Sequence, residues 1–416
     1  MITKENFCAV LSDVNKLIYS DEFKEKYCLN ENAFSRNRKL SFTDIIFFIL
    51  GMPRKSLSTE LDIFFEKSSL SITKQAFSKA RYQISEQAFI HLFQSTARIY
   101  NTPGSSSLWN GYRIFAVDGS MITVPHNSKT AAEFGLYRNN HSEYPMARAS
   151  VLYDVTNDLV ADVEFTGITV GEREHASNLL DSPQLIQTAG YQNLLIFDRG
   201  YPSRNLILDL EKRGFSYLIR CTHSFLKCVN ECPEGDHIVN DEYKGTSTRL
   251  RVIKTDIDND NKQILVSNLF GPDQDIEYHK RLYRMRWGIE TKYGELKTRL
   301  RVENFSGKNP RAVYQEFYAA LFISNISAII KSLSEAELGV ELNTPKHLYQ
   351  LNRSYIIGLV ARKIKCLLAG VRLYDLVIDL IVKAKHIKSI IRNERHSHRN
   401  KNHHDATNGF YIRVTV

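Results

Sequence analysis

Two short stretches constrain this chain more than any others. Ile114-Phe115-Ala116-Val117 runs unbroken into Asp118 and Gly119, and Leu194-Leu195-Ile196-Phe197 runs into Asp198, Arg199 and Gly200. Four apolar residues in a row, without alternation, read as a strand buried on both faces. An acid at the end of such a run sits where the strand emerges at its carboxyl edge, where open α/β sheets place their sites. Neighbouring strands lie about 4.8 Å apart, so two such carboxylates can face each other closely. Taken singly, each aspartate reads as the start of a turn, a common habit of Asp before Gly. Taken as a matched pair, they repel and raise one pKa unless a cation lies between them. Oxygen-only ligands suit Mg2+ or Mn2+.

The pattern around these runs is that of a mixed α/β domain. Residues 146–155 and 159–168 flank Thr156-Asn157-Asp158 and read as a hairpin. Residues 171–183 and 202–214 read as helices, the second opening at Pro202 and stopping at Gly214. FSYLIRCT (215–222) is a further strand, and 223–270 reads as a β-rich insertion. A loop rich in Pro, Gly and Ser, 101–111, separates this domain from a helical region over 1–105. Beyond it, 275–300 reads as one long helix, 313–391 as a helical C-terminal region, and 392–416 as a basic, His-rich tail.

Composition bounds the function. The 416 residues suffice for two or three domains, with 43% apolar and 24% charged residues, an ordinary globular balance. The net charge of +9 favours a polyanionic partner, nucleic acid first. The start, MITKENFCAVLSDVNK, has no apolar core behind a basic end, so no secretory signal is expected. No membrane span is expected either, because Phe317–Ile330 is short and reads as a buried helix. Six cysteines in so long a chain do not make a disulfide framework, and a reducing cytoplasm is the simplest home. Cys221, Cys228, Cys232, His223 and His237 crowd together without the spacing of zinc knuckles and read as unligated. Among phosphate-binding loops, neither a Walker nor a Rossmann pattern occurs, so no nucleotide cofactor is expected.

The stretch RLYRMRWGIETKYGELKTRL (281–300) bears on the aspartate pair. On a helix turning about 100° per residue, Tyr283, Arg286, Glu290 and Lys297 fall within about 60° of arc. Leu282, Met285, Ile289, Leu296 and Leu300 form an adjoining apolar stripe, whereas Glu295 points elsewhere. One acid is thus flanked by an aromatic hydroxyl and two cations beside a buried face. From the residues alone, a solvated amphipathic helix with Glu290 as an ordinary salt-bridge partner is the slightly favoured reading of this spacing. In the N-terminal region, 58–67 and 69–85 form two short helices with Thr73 as N-cap, the layout of a helix-turn-helix. Lys74, Lys79 and Arg81 of the second are read as DNA-facing, against the alternative of an ordinary basic surface helix.

These motifs resemble a known family. Tyr283-x2-Arg286-x3-Glu290-x6-Lys297 matches the YREK signature of DDE transposases of the insertion sequence 4 family. Asp198-Arg199-Gly200-Tyr201 is similar to that family's second-acid motif, and Val117-Asp118-Gly119-Ser120 to its first-acid strand. The resemblance implies an α/β, ribonuclease H-like mixed-sheet core over 106–312 with a β-rich insertion, flanked by helical regions. It implies that Asp118, Asp198 and Glu290 hold two Mg2+ or Mn2+ ions. It implies that Tyr283, Arg286 and Lys297 hold DNA phosphates. Arg199 itself reads as a phosphate contact, a neutraliser of the two aspartates or a structural salt-bridge residue, and Trp287 as a stacking platform for an unpaired base or an ordinary packing residue. The partners implied are double-stranded DNA, both inverted-repeat ends and target, and a second copy of the chain in the DNA complex. The location implied is the cytoplasm of a bacterium, at the nucleoid. Two other functions fit the same acids: a metal-dependent endonuclease without strand transfer, and a silent end-binding remnant.

Overall fold

The two apolar runs become neighbouring parallel strands in the computed structural model, which describes residues 2–390 apart from 36–38, 53–55, 67–70, 102–103, 140–141, 186–190, 244, 259–260 and 340–347. The basic tail therefore lies outside the described residues. Among the described residues the main sheet is built of β1 (Tyr112–Thr123), β2 (Leu136–Arg138), β3 (Glu143–Asp154), β4 (Leu159–Gly167), β5 (Gln192–Phe197), β6 (Ser216–Cys221), β7 (Gly235–Tyr243), β8 (Thr246–Asp258) and β9 (Asn261–Ser267). They form a single sheet in the order β2-β3-β1-β5-β6-β9-β8-β7, with β4 also on β3. β3 runs antiparallel to both β1 and β4, and β5 and β6 continue parallel to β1. This is the expected α/β architecture with a mixed sheet. The β3–β4 turn falls on residues 155–158, with Asp158 at φ 55°, a left-handed position that Asp tolerates.

Side-chain alternation divides the core into two faces. Phe115, Val117, Leu195 and Phe197 pack on one face with the helices Glu172–Leu179 and Arg204–Lys212. Ile114, Leu194 and Ile196 pack on the other with Tyr278, Leu282 and Tyr283 of the helix Ile276–Met285. A side-chain period of two then puts Asp118 and Asp198 on that second face.

The β-rich segment extends the same sheet beyond β6 through β9, β8 and β7. One expectation from the sequence does not hold: the stretch 275–300 is not one regular helix. It is the helix Ile276–Met285, a break at Arg286, the helix Trp287–Gly294, and a π-helical turn Glu295–Arg299. Such turns are rare and concentrate at functional positions. The constant angular step used to place Lys297 does not survive this break.

The chain forms two compact units. The first comprises Tyr100–Thr123 and Ala131–Gly294 and contains the sheet. The second gathers Ile2–Ile99, Val124–Thr130 and the residues from Glu295 onward. In it the helices Phe42–Gly51, Gln87–Ala97, Arg353–Ala369 and Leu373–His386 pack against Pro310–Leu338. That long helix starts with Asn309 as cap and Pro310 in the first turn, a favoured start. Among the described residues it alone is long and apolar enough to cross a membrane, and 89% of its apolar window is buried inside the unit. Glu295 is likewise committed to this unit, accepting from Ser324 and Arg353.

The helix Lys74–Arg81 forms with Thr73 as its cap, as read from the sequence. Arg81 does not face solvent. With Phe77, four residues earlier, it turns into the core. Its Nη1 donates to Glu316 at 2.8 Å, and its Nε to Gln315 at 3.0 Å. The physical reason is a buried acid on Pro310–Leu338 that needs a cation. Lys74 and Lys79 are exposed.

Candidate active site

The register of the parallel pair sets the geometry. β1 and β5 match Ile114 with Leu194, Ala116 with Ile196, and Val117 with Phe197. One residue further along each chain stand Asp118 and Asp198. Both are held from behind by backbone amides, Asp118 by Gly119 at 2.9 Å and Asp198 by Arg199.

The helices on this face deliver the rest. Tyr283 donates from its hydroxyl to Asp198 Oδ1 at 2.8 Å. Arg286, at the break, sends its guanidinium between the acids. Nη2 lies 2.7 Å from Glu290 and 3.8 Å from Asp198, and Nη1 lies 3.5 Å from Asp118. The side chain is only 5% exposed. Three carboxylates from three distant segments thus converge on one buried cation. Glu290 is reached across the break, four residues on, so the spacing seen in the sequence works despite the irregular backbone.

The segment Trp287–Gly294 is clamped to the sheet. Tyr293 lies within 2.8 Å of the carbonyls of both Asp118 and Ala149. Lys292, fully buried, pairs with Asp158 at 3.0 Å. Gly288 approaches β3 so closely that a Cβ there would lie 3.0 Å from the ring of Tyr153. These anchors hold Glu290 where Arg286 can meet it. Trp287 faces outward, 62% exposed.

The two aspartates are tuned in opposite directions. Burial pushes the Asp118 carboxyl up to about 6, with Asp198 and Glu172 adding to the rise, while the Gly119 amide and Arg286 oppose it. For Asp198 burial also works upward, but the Arg199 amide, Tyr283 and Arg286 outweigh it, leaving the carboxyl below its ordinary value. Tyr283 is pushed up to about 12 by burial and by Asp198 and stays a donor. Burial disfavours the Arg286 charge, yet Tyr283, Asp198, Glu290 and Asp118 hold its pKa above normal. Pairs of titratable groups pushed apart in this way are a mark of acid–base and metal sites.

One residue here was not legible in the sequence. Glu172 opens the helix Glu172–Leu179, and a Cβ on Gly119 would lie 3.0 Å from its side chain. Its Oε2 lies 3.7 Å from the Cβ position of Gly200. The carboxylate therefore rests beside the residues that follow both aspartates. His175 fixes this helix by bonding Ser150 of β3 and Thr166 of β4, and burial lowers its pKa to about 4, so the ring is neutral. The available signal was a glycine shortly after each aspartate, which left room for something to approach.

Arg199 is exposed, with its amide turned to Asp198. Lys297 belongs to the second unit, where its ammonium lies 4.0 Å from Glu303. Cys221 and Cys232 are buried free thiols, and Cys228 is half-buried.

Among the described residues, no group of three His, Cys, Asp or Glu side chains is arranged to hold a metal ion as it stands. The donor chemistry nonetheless fits Mg2+ or Mn2+. Asp118, Asp198 and Glu290 offer hard carboxylate oxygens, and in this structure the Arg286 guanidinium balances their charge. Tyr201, 2% exposed, adds a buried hydroxyl without a partner, in the electrostatic reach of Asp118, Glu172 and Asp198.

Among curated proteins no relative matches this chain. Among solved structures it is similar to a piggyBac transposase in a synaptic complex with hairpin DNA, determined by cryo-EM, at 10% identity and a TM-score of 0.49, covering 95% of this chain and 88% of that one. The family model described as the transposase DDE domain matches residues 109–326, which contain the sheet, both aspartates and Glu290. With that match over more than half its length, the chain belongs to the transposase DDE domain family.

Proposed function

We propose that the chain is a DNA transposase of the insertion sequence 4 type, with Tyr283, Arg286, Glu290 and Lys297 as its YREK signature. It cuts at the ends of its element and joins the freed 3′-hydroxyls to target DNA. The observation that carries this reading is the convergence of Asp118, Asp198 and Glu290 on the Arg286 guanidinium. Two divalent ions held by these acids would activate the attacking oxygen and stabilise the leaving one.

The chain's own residues bind and orient the DNA. Arg286 offers a planar fork that matches a phosphate. Tyr283 positions Asp198 and remains a proton donor near the scissile group. Lys297 and Arg199 supply point charge for the backbone, and exposed Trp287 supplies a stacking face for an unpaired base. Exposed Lys74 and Lys79 extend the phosphate contacts to the element end. Two ends must be held at once, which calls for a homodimer in the DNA complex.

The test is Glu290→Gln. It should abolish cleavage of an end-containing duplex while leaving end binding within about tenfold of wild type, because the acid serves the ions rather than the DNA. Normal cleavage by this variant overturns the assignment. A strand-transfer assay with pre-cut ends separates the transposase from an endonuclease that only cuts.

A further inference from the structure

Arg286 occupies the centre that a divalent ion would share with the acids. Its bonds there are uneven: one close contact to Glu290 at 2.7 Å, and longer ones to Asp118 at 3.5 Å and Asp198 at 3.8 Å. Its Nε is buried without a partner, so the fork is not saturated. The residue sits at the junction between two helices. As arranged, the acids are engaged with this cation and form no metal-holding group among the described residues.

A divalent ion and the guanidinium cannot both stand between the same three carboxylates. The ion is the stronger partner for hard oxygens, and a phosphate is the better bidentate partner for the fork. We propose that Arg286 is a built-in counter-ion which the divalent metal displaces and a DNA phosphate then receives, so that metal and DNA bind cooperatively. Without DNA, the displaced guanidinium has no partner and the pocket resists loading. With DNA, the exchange completes. Linkage makes the effect reciprocal: DNA tightens metal binding by the same factor by which metal tightens DNA binding. This inference rests on the reading of Asp118, Asp198 and Glu290 as the metal-binding acids.

The experiment is Mn2+ binding to the full chain at pH 7.5 without DNA, read by electron paramagnetic resonance of the free ion. Arg286→Gln should bind Mn2+ about tenfold more tightly than wild type, within the usual range of coupling between sites. Arg286→Lys, which keeps a cation, should change affinity by less than about threefold. Equal affinity for Arg286→Gln and wild type, with Asp118→Asn still abolishing binding, overturns the counter-ion and leaves the metal assignment standing. Mn2+ binding that Asp118→Asn does not weaken in either background overturns both. A second measurement needs no variant. Phenylglyoxal labelling of Arg286 in the wild type, mapped by mass spectrometry, should be slow in metal-free protein and rise severalfold with saturating Mn2+. Labelling that Mn2+ leaves unchanged overturns the displacement.

Discussion

Replacing Arg81 by alanine should unfold this protein before it affects DNA binding. The Arg81–Glu316 pair is buried on both sides, at 2% and 0% side-chain exposure. Glu316 also accepts from the backbone amide and hydroxyl of Ser306, and Arg81 donates to Gln315 and Ser306. Removing the guanidinium strands a carboxylate in the core and cuts a hydrogen-bond network. Breaking one side of a buried pair costs about 3–5 kcal/mol. For a unit of 150–250 residues, each kcal/mol moves Tm by about 2–4 °C, so a drop of roughly 6–20 °C is expected. Circular dichroism melting of the full chain measures it. A Glu316→Gln change should cost a similar amount, and the double variant should lose clearly less than the sum, because each single change already breaks the pair. The same Arg81→Ala protein, held well below its melting point, should bind element DNA much as wild type does. A melting point within about 2 °C of wild type, or a selective loss of DNA affinity in folded protein, would refute the placement of Arg81 as a core residue.

Three further outcomes follow from the same structure. Asp118, with its carboxyl raised from 3.8 to about 6, works against the fold in its charged form. Its contribution is most favourable below about pH 4 and declines as pH rises through about 6, at roughly 1.4 kcal/mol per pK unit, or about 2–3 kcal/mol in all. Asp118→Asn should therefore raise Tm at pH 8 in metal-free buffer and change it little at pH 4, while abolishing cleavage; equal shifts at both pH values would contradict the burial argument. Lys74→Ala with Lys79→Ala should weaken DNA binding and lower the salt slope by about 1 for each phosphate no longer neutralised, with Tm unmoved; an unchanged slope would place the end-binding surface elsewhere. Glu172→Gln should slow cleavage without lowering DNA affinity, since its carboxylate rests beside the residues following Asp118 and Asp198; cleavage at the wild-type rate would make it a helix-start residue only.

What the sequence made legible was local. Asp118 and Asp198 could be found because the apolar runs before them leave little choice but buried strands, and parallel pairing in register does the rest. Glu290 could be found because four residues separate it from Arg286, a spacing that tolerates a break between two short helices. The fate of Arg81 was not legible. A basic residue at the end of an amphipathic helix is usually solvated, and only a partner 235 residues away, on a helix of the C-terminal half, reverses that. The packing of N-terminal and C-terminal helices into one unit is hidden for the same reason. Glu172 was hidden because GEREHASNLL reads as an ordinary helix start; its meaning comes from His175 docking that helix across β3 and β4. The break at Arg286 had a faint sign in Gly288 and Gly294, but the pull of three acids on one guanidinium is a property of the assembled sheet.

The claim that carries the account is that Asp118, Asp198 and Glu290 serve one ion pocket. Loading the DNA-bound protein with Fe2+ in place of Mg2+ and generating hydroxyl radicals cuts the chain next to wherever the ion sits, and mass spectrometry locates the cuts. Three clusters are expected, near residues 118, 198 and 290, all suppressed by excess Mg2+ and all lost together in Asp198→Asn. Cuts gathered at a single one of these segments, or somewhere else in the chain, would contradict it.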